Sequence, residues 1–227
     1  MKKFFIKRYL ESKPDFDLER STVKPALRIN TLKIDTKELI ARLKKERVKL
    51  EKIPFLKDGY YYEAPFSLGS TPEYLLGYYY LQEAASQKAT EILAPKEEED
   101  ILDMAAAPGS KTTHIAQLMN NTGSIVALDV QEWRLSALRN NLERCGVTNT
   151  ILYSKNAEYV SDLGLKFDKV LLDAPCSGNF TLEEDWFSKR TIEDIKQNAR
   201  VQRNLLREAI KVTKDNGKIL YSTCSLE

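Results

Sequence analysis

Asp100-Ile101-Leu102-Asp103-Met104-Ala105-Ala106-Ala107-Pro108-Gly109-Ser110-Lys111-Thr112 is the stretch that decides the fold. Asp100–Met104 is a short, largely apolar run, the pattern of a buried strand. Small residues follow, and a helical pattern begins near Lys111. The same rhythm of strand, loop and helix recurs downstream. Further candidate strands are Ser124–Leu128, Thr150–Tyr153, Lys169–Leu172 and Lys218–Tyr221, with helices starting near Glu132 and Thr191. Strands alternating with helices predict an α/β fold with a parallel sheet covered on both faces.

Ligands of such sheets sit outside the carboxyl ends of the strands. The Ala105-Ala106-Ala107-Pro108-Gly109 turn therefore lies where a ligand would. Its small side chains allow close backbone approach, and the helix after it offers free N–H groups. The turn is neither GxGxxG nor a P-loop: Ser110 separates Gly109 from Lys111, and Met104 stands where the first P-loop glycine would be. Asp129 ends the second strand, the position from which a carboxylate accepts from two ribose hydroxyls. Asn156-Ala157 follows the third strand, where a purine ring would lie, although an ordinary turn has the same appearance.

Two cysteines end two further strands, in Asp173-Ala174-Pro175-Cys176 and Ser222-Thr223-Cys224-Ser225. A thiolate at such a site can add to C6 of a cytosine or uracil ring, which makes C5 nucleophilic. An acid that hydrogen-bonds N3 eases the addition, and Asp173 is placed to be that acid. One thiol suffices for addition, so the second needs another task, plausibly resolution of the adduct. A redox pair is the alternative. Cys145, in Glu143-Arg144-Cys145-Gly146 at a helix end, reads as a small buried hydrophobe. His114 reads as a structural residue of the first helix. A single histidine and no CxxC pair argue against a zinc site.

Before the sheet rhythm lies a smaller α+β pattern. Residues 1–20 suggest a short amphipathic helix with Phe4, Phe5, Tyr9 and Leu10 on its apolar side. Ala26–Lys33 alternates as a strand. Asp35-Thr36-Lys37-Glu38 opens a capped helix, and Val48–Ile53 alternates again. Asp58-Gly59 marks a turn before Tyr60-Tyr61-Tyr62. Glu73–Ala94 reads as one or two helices that carry Tyr78–Tyr80, and the boundary between the two units is expected at 72/73. Residues 1–60 carry a net charge of +8 and the remainder −6, which suits a polyanion-binding module beside an enzyme core. A lysine-rich solvated surface would give the same asymmetry. The 227 residues are 42% hydrophobic and 30% charged, with no apolar run of membrane-spanning length. The mean hydropathy of −0.43 agrees with a globular chain. Three widely spaced cysteines and a charged start suggest free thiols, a reducing cytoplasm and no export signal.

Taken together, these segments resemble the RNA cytosine-5 methyltransferases of the NOL1/NOP2/Sun family, of archaeal type. The matching segments are Leu27–Lys33, Gly77–Ser86, Asp103–Thr112, Leu128-Asp129, Asp173–Gly178, Gln202–Ala209 and Tyr221–Ser225. The paired Asp-Ala-Pro-Cys and Ser-Thr-Cys-Ser motifs are together highly specific. The resemblance implies a Rossmann-like methyltransferase sheet over 73–227 and a small RNA-binding α+β domain over 1–72. It implies S-adenosylmethionine as the methyl donor, held by Ala105, Ala106, Ala107, Pro108, Gly109, Lys111, Asp129, Arg134, Asn156 and Asp173. It implies Cys224 as nucleophile, Cys176 as the thiol that helps release product, and Asp173 as the contact to the cytosine. RNA is the implied partner, tRNA favoured over rRNA, with no metal, no membrane and a monomeric enzyme. Asn156 stands where the family carries aspartate; its amide oxygen can still accept a hydrogen bond. The resemblance implies further strands beyond the position of Glu227. A non-catalytic RNA-binding or assembly protein that keeps this fold is the second reading. A DNA-directed enzyme is the third, and Ser177-Gly178 after Cys176 does not match its Pro-Cys-Gln pattern.

Overall fold

The computed structural model describes residues 2–17, 22–181, 183 and 185–225. Positions 18–20 of the expected first helix, and residues 226–227, lie outside the described residues. Helix α1 spans Lys2–Ser12 and buries Phe5 and Tyr9, whereas Phe4 and Leu10 are each 40% exposed.

A four-stranded antiparallel sheet follows. Its strands are β1 (Ala26–Ile29), β2 (Lys49–Lys52), β3 (Gly59–Glu63) and β4 (Tyr79–Leu81), in the order β2-β3-β1-β4. Helix α2 (Thr36–Lys45) starts where the sequence places it, because the Asp35 side chain accepts from the N–H groups of Lys37 and Glu38. Leu39 and Leu43 of α2 pack with Leu27, Ile29 and Tyr79. The expected helical span over 73–94 is corrected here. Only α3 (Pro72–Leu75) and α4 (Ala84–Leu93) are α-helical, and Tyr79–Leu81 is a strand paired with β1. The first sheet therefore reaches past the expected boundary at 72.

The second sheet contains β5 (Asp100–Asp103), β6 (Ser124–Asp129), β7 (Thr150–Ser154), β8 (Phe167–Asp173) and β9 (Thr213–Ser222). All pairs are parallel and the order is β7-β6-β5-β8-β9. In β5, β6 and β8 side chains alternate between two buried faces, which explains why these strands read as continuous apolar runs. Leu102, Val126, Val170 and Leu172 meet Leu205, Ala209 and Val212 of α8 (Ile192–Val212) on one face. On the other, Ile101, Ile125 and Leu171 meet Leu93 of α4 and Ile115 of α5 (Ser110–Leu118), while Ala127 meets α6 (Glu132–Cys145). The short α7 (Trp186–Lys189) lies in the β8–α8 connection and packs Trp186 against Phe5 of α1.

Buried polar contacts bolt the two sheets together. Arg28 of β1, fully buried, donates to Gln82 Oε1 (2.6 Å) and, across to α5, to Ser110 O (2.9 Å) and Thr113 Oγ1 (2.9 Å). Gln117 of α5 donates back to Ile29 O and Asp58 Oδ2, each at 3.0 Å. Desolvation lowers the Arg28 guanidinium to about 10, so it stays charged at neutral pH. His114 is buried beside it, and burial first, then the Arg28 charge, push its imidazole well down. It is a neutral packing residue, as its position in the sequence suggests.

Candidate active site

The chain adds β6 and β7 to one side of β5, then returns to add β8 and β9 to the other. The reversal opens a crevice at the carboxyl ends of β5 and β8, the usual ligand position in such sheets. Asp103 ends β5 and is 1% exposed. Thr112 Oγ1 donates to its Oδ2 at 2.8 Å. Burial pushes the Asp103 carboxyl up to about 6; the charge of Asp173 adds to the rise, and the Thr112 hydrogen bond and Lys111 oppose it. The turn then runs to Gly109, whose φ of +109° belongs to the left-handed region and which caps α5.

Asp129 ends β6 and is 4% exposed. It accepts from Gln131 N at 3.0 Å and faces Arg134 Nη1 at 3.4 Å. Arg134 also donates to Ala107 O at 2.6 Å, which ties the start of α6 to the alanine turn. Beyond β7, Asn156 Oδ1 accepts from Glu158 N at 2.9 Å and caps the 3₁₀ turn Ala157–Leu163.

Asp173 ends β8. Lys111 Nζ donates to its Oδ2 at 2.6 Å and Ser222 Oγ to its Oδ1 at 2.7 Å. Cys176 and Cys224 form a disulfide with Cα atoms 6.1 Å apart. This corrects the expectation of three free thiols. Neighbouring parallel strands place the two motifs side by side, within the Cα separation that a disulfide spans. Cys145 is the free cysteine among the described residues, and it is buried.

Two clefts meet at this point. The first, of about 350 Å³, is lined by Ala105, Ala107, Asp129, Arg134, Asn156, Asp173, Cys176 and Cys224. Met104, Val130, Lys155, Ala157, Ala174, Pro175, Val201 and Leu205 complete it; of these the sequence points only to Ala157, beside Asn156, as a ring contact. Lys155 flanks Asn156 on its other side and could have been found from it. Val201 and Leu205 come from α8 and carry no local signal. Ala106, Pro108, Gly109 and Lys111, all expected at the donor, do not line this cleft. Ala106 turns into the core against Leu135 and Leu138, and Pro108 O accepts from Asn141. The second cleft, of about 360 Å³, lies on the α4 side. Glu83, Ser86, Lys111, Gly178, Asn179, Glu183 and Ser222 line it together with Asp173 and Cys224. Asp173 and Cys224 thus face both clefts.

The first cleft suits a nucleoside: a buried carboxylate for ribose hydroxyls, apolar Val130 and Leu205 for a ring, and an exposed backbone turn. The second suits a flat polar group brought against an acid and a sulfur. Among the described residues no group of three His, Cys, Asp or Glu side chains gathers to hold a metal, and no helix is long and apolar enough to cross a membrane.

Residues 90–227 match the family described as 16S rRNA methyltransferase RsmB/F, and residues 6–84 match the N-terminal domain of 16S rRNA methyltransferase RsmF. The chain is 39% identical to ribosomal RNA small subunit methyltransferase F of Vibrio atlanticus over 212 residues, which is 90% of this chain and 45% of that protein. It is 42% identical over 208 residues to the 28S rRNA (cytosine-C(5))-methyltransferase of Mus musculus, 88% of this chain and 26% of the relative. The chain thus spans less than half the length of these curated relatives. The crystal structure of NSun6 from Pyrococcus horikoshii with SFG superposes with a TM-score of 0.85 at 30% identity, over 92% of this chain and 77% of that one.

Proposed function

The chain belongs to the RsmB/F family of methyltransferases, whose donor is S-adenosylmethionine, and from that premise we propose that it methylates C5 of a cytosine in RNA through a covalent bond from Cys224 to C6. The observation that carries the reading is that two clefts share Asp173 and Cys224. One is shaped for a nucleoside donor and the other for a base, so both reactants reach the same acid and the same sulfur.

When bound in the first cleft, S-adenosylmethionine supplies an electrophilic methyl group. Asp129 and the Ala105–Ala107 backbone would hold its ribose and methionine portions, and Val130 and Leu205 would offer apolar surface to its ring. The protein's own steps require the pair to be reduced, and the roles of the two thiols are those the family resemblance implies. The Cys224 thiolate forms the S–C6 bond, and the displaced π electrons move to C5. Asp173, held by Lys111 and Ser222, accepts from the cytosine N4 amino group on one oxygen and, as the acid, donates a proton to N3 from the other, which neutralises the negative charge that develops on the ring. After methylation the C5 proton leaves to a base, for which Cys176 is the neighbouring group, as the C6–S bond breaks and Cys224 is released. The basic N-terminal unit contacts the phosphates. The bacterial and mouse relatives are ribosomal RNA methyltransferases, which favours ribosomal RNA over tRNA as the substrate.

RNA containing 5-fluorocytosine tests this, because fluorine at C5 blocks release. With reductant and donor present, mass spectrometry is expected to find the adduct on Cys224. An adduct on Cys176 inverts the two roles. No adduct from folded protein that binds the donor in calorimetry refutes the methyl-transfer reading.

A further inference from the structure

Ser222 stands in register with Asp173 across the β8–β9 pair, and Ala174 N donates to Ser222 O at 2.8 Å. The main chain therefore fixes the two strand ends against each other at this residue. The Ser222 hydroxyl adds a second tie, donating to Asp173 Oδ1 at 2.7 Å, while Lys111 Nζ takes Oδ2 at 2.6 Å. Each carboxylate oxygen has two acceptor positions, so one on each remains for a ligand. With one fixed donor on each oxygen, the carboxylate plane cannot swing about its Cβ–Cγ bond without breaking a hydrogen bond. Ser222 also lines the base-side cleft with Asp173 and Cys224.

We propose that Ser222 is a positioning residue: its hydroxyl sets the carboxyl plane of Asp173, and so aims its two remaining positions, one accepting from the N4 amino group and one carrying the proton for N3, at the target base. This rests on the methyl-transfer reading above. Ser222 acts through Asp173 and does not itself meet the reacting atoms. Its contribution belongs to the step in which the ring gains charge, because only then does the aim of Asp173 matter most. RNA affinity, set by phosphate contacts elsewhere, is left unchanged.

The test uses the reduced 227-residue chain and 5-fluorocytosine RNA, with the rate of adduct formation at Cys224 as readout. Ser222→Ala is expected to slow adduct formation by about tenfold or more, the loss typical of a hydrogen bond to a charged group. Its dissociation constants for RNA and S-adenosylmethionine and its melting temperature stay at wild-type values. Ser222→Thr, which keeps the hydroxyl, restores the rate. In an Asp173→Ala background the Ser222→Ala change has no further effect, because its route is gone. A wild-type rate in Ser222→Ala overturns the proposal. So does the same slowing factor with and without Asp173. No adduct in the reduced wild type refutes the methyl-transfer reading itself, and that outcome is separate from a wild type that reacts beside a Ser222→Ala variant that reacts equally fast.

Discussion

Asp103 sits at the end of β5, 1% exposed, with a carboxyl raised to about 6 from an ordinary 3.8. A raised carboxyl binds its proton more tightly folded than unfolded. Its penalty on stability is therefore absent below about pH 4, grows as pH rises from 4 to 6, and is complete above 6. Two and a fraction pK units at 1.36 kcal/mol each give a penalty of about 3 kcal/mol at pH 8. Asp103→Asn removes the charge and keeps the contacts. Its amide oxygen accepts from Ala105 N and its NH₂ donates to Thr112 Oγ1, whose hydroxyl then turns to Ala106 O, 3.5 Å away. The assay is urea unfolding of both proteins at pH 4, 5, 6 and 8. The variant is expected to gain on the wild type by about 3 kcal/mol between the lowest and highest pH, or about 1 M in midpoint at an m-value near 3 kcal/mol/M. Carboxylates not coupled to Asp103 titrate alike in both proteins and cancel in the difference, and the Asp103–Asp173 repulsion is part of the penalty that the difference reads. A difference that stays constant from pH 4 to 8 refutes the reasoning, because it would mean that Asp103 is not held in its costly ionised form.

Three further outcomes follow from the same geometry. Arg28→Met leaves Gln82 Oε1, Ser110 O and Thr113 Oγ1 without their buried donor, and is expected to cost about 3 kcal/mol of stability in thermal or urea unfolding. Asp129→Ala removes the carboxylate from the first cleft and is expected to weaken S-adenosylmethionine binding by at least about tenfold in calorimetry, with the melting temperature of the ligand-free protein little changed. Cys176 and Cys224 are joined, so protein kept oxidised is expected to form no adduct with 5-fluorocytosine RNA, and dithiothreitol is expected to restore it; equal reaction in both states contradicts the assignment of Cys224.

The elements visible in the sequence are those whose stability is local or whose burial is uniform. Asp35 caps α2 from within its own first turn, and Val170-Leu171-Leu172 is apolar because both faces of β8 are covered. Tyr79–Leu81 was not visible as a strand. Three residues have no measurable period, and their extended form is held by Leu27, Arg28 and Ile29, some fifty residues away. Arg28 sits in an alternating strand, where a charged side chain usually faces water, yet partners in Gln82, Ser110 and Thr113 allow its full burial. In the site, Asp129, Asp173, Cys176 and Cys224 are legible because strand ends announce them. The α4 wall of the second cleft, Glu83 and Ser86, is not, since it is the long-range packing of α4 against α5 and the second sheet that brings that helix there.

One turn of helix organises both aspartates. Gly109 enters α5 in a left-handed conformation, and the next residues then point in two directions. Thr112 reaches Asp103 on β5, and its immediate neighbour Lys111 reaches Asp173 on β8. Asp103 is thereby kept in the core with a neutral hydroxyl partner, and Asp173 is kept at the cleft with a charged one. The two carboxylates are close enough for Asp173 to raise Asp103, yet Lys111 lowers it. Had the cation gone to Asp103 instead, the buried carboxylate would lose its cost on ionising and the group facing both clefts would lack its anchor. The order Gly-Ser-Lys-Thr therefore does more than open a helix: it ties the buried aspartate into the turn's architecture and holds the partly exposed one where the two clefts meet.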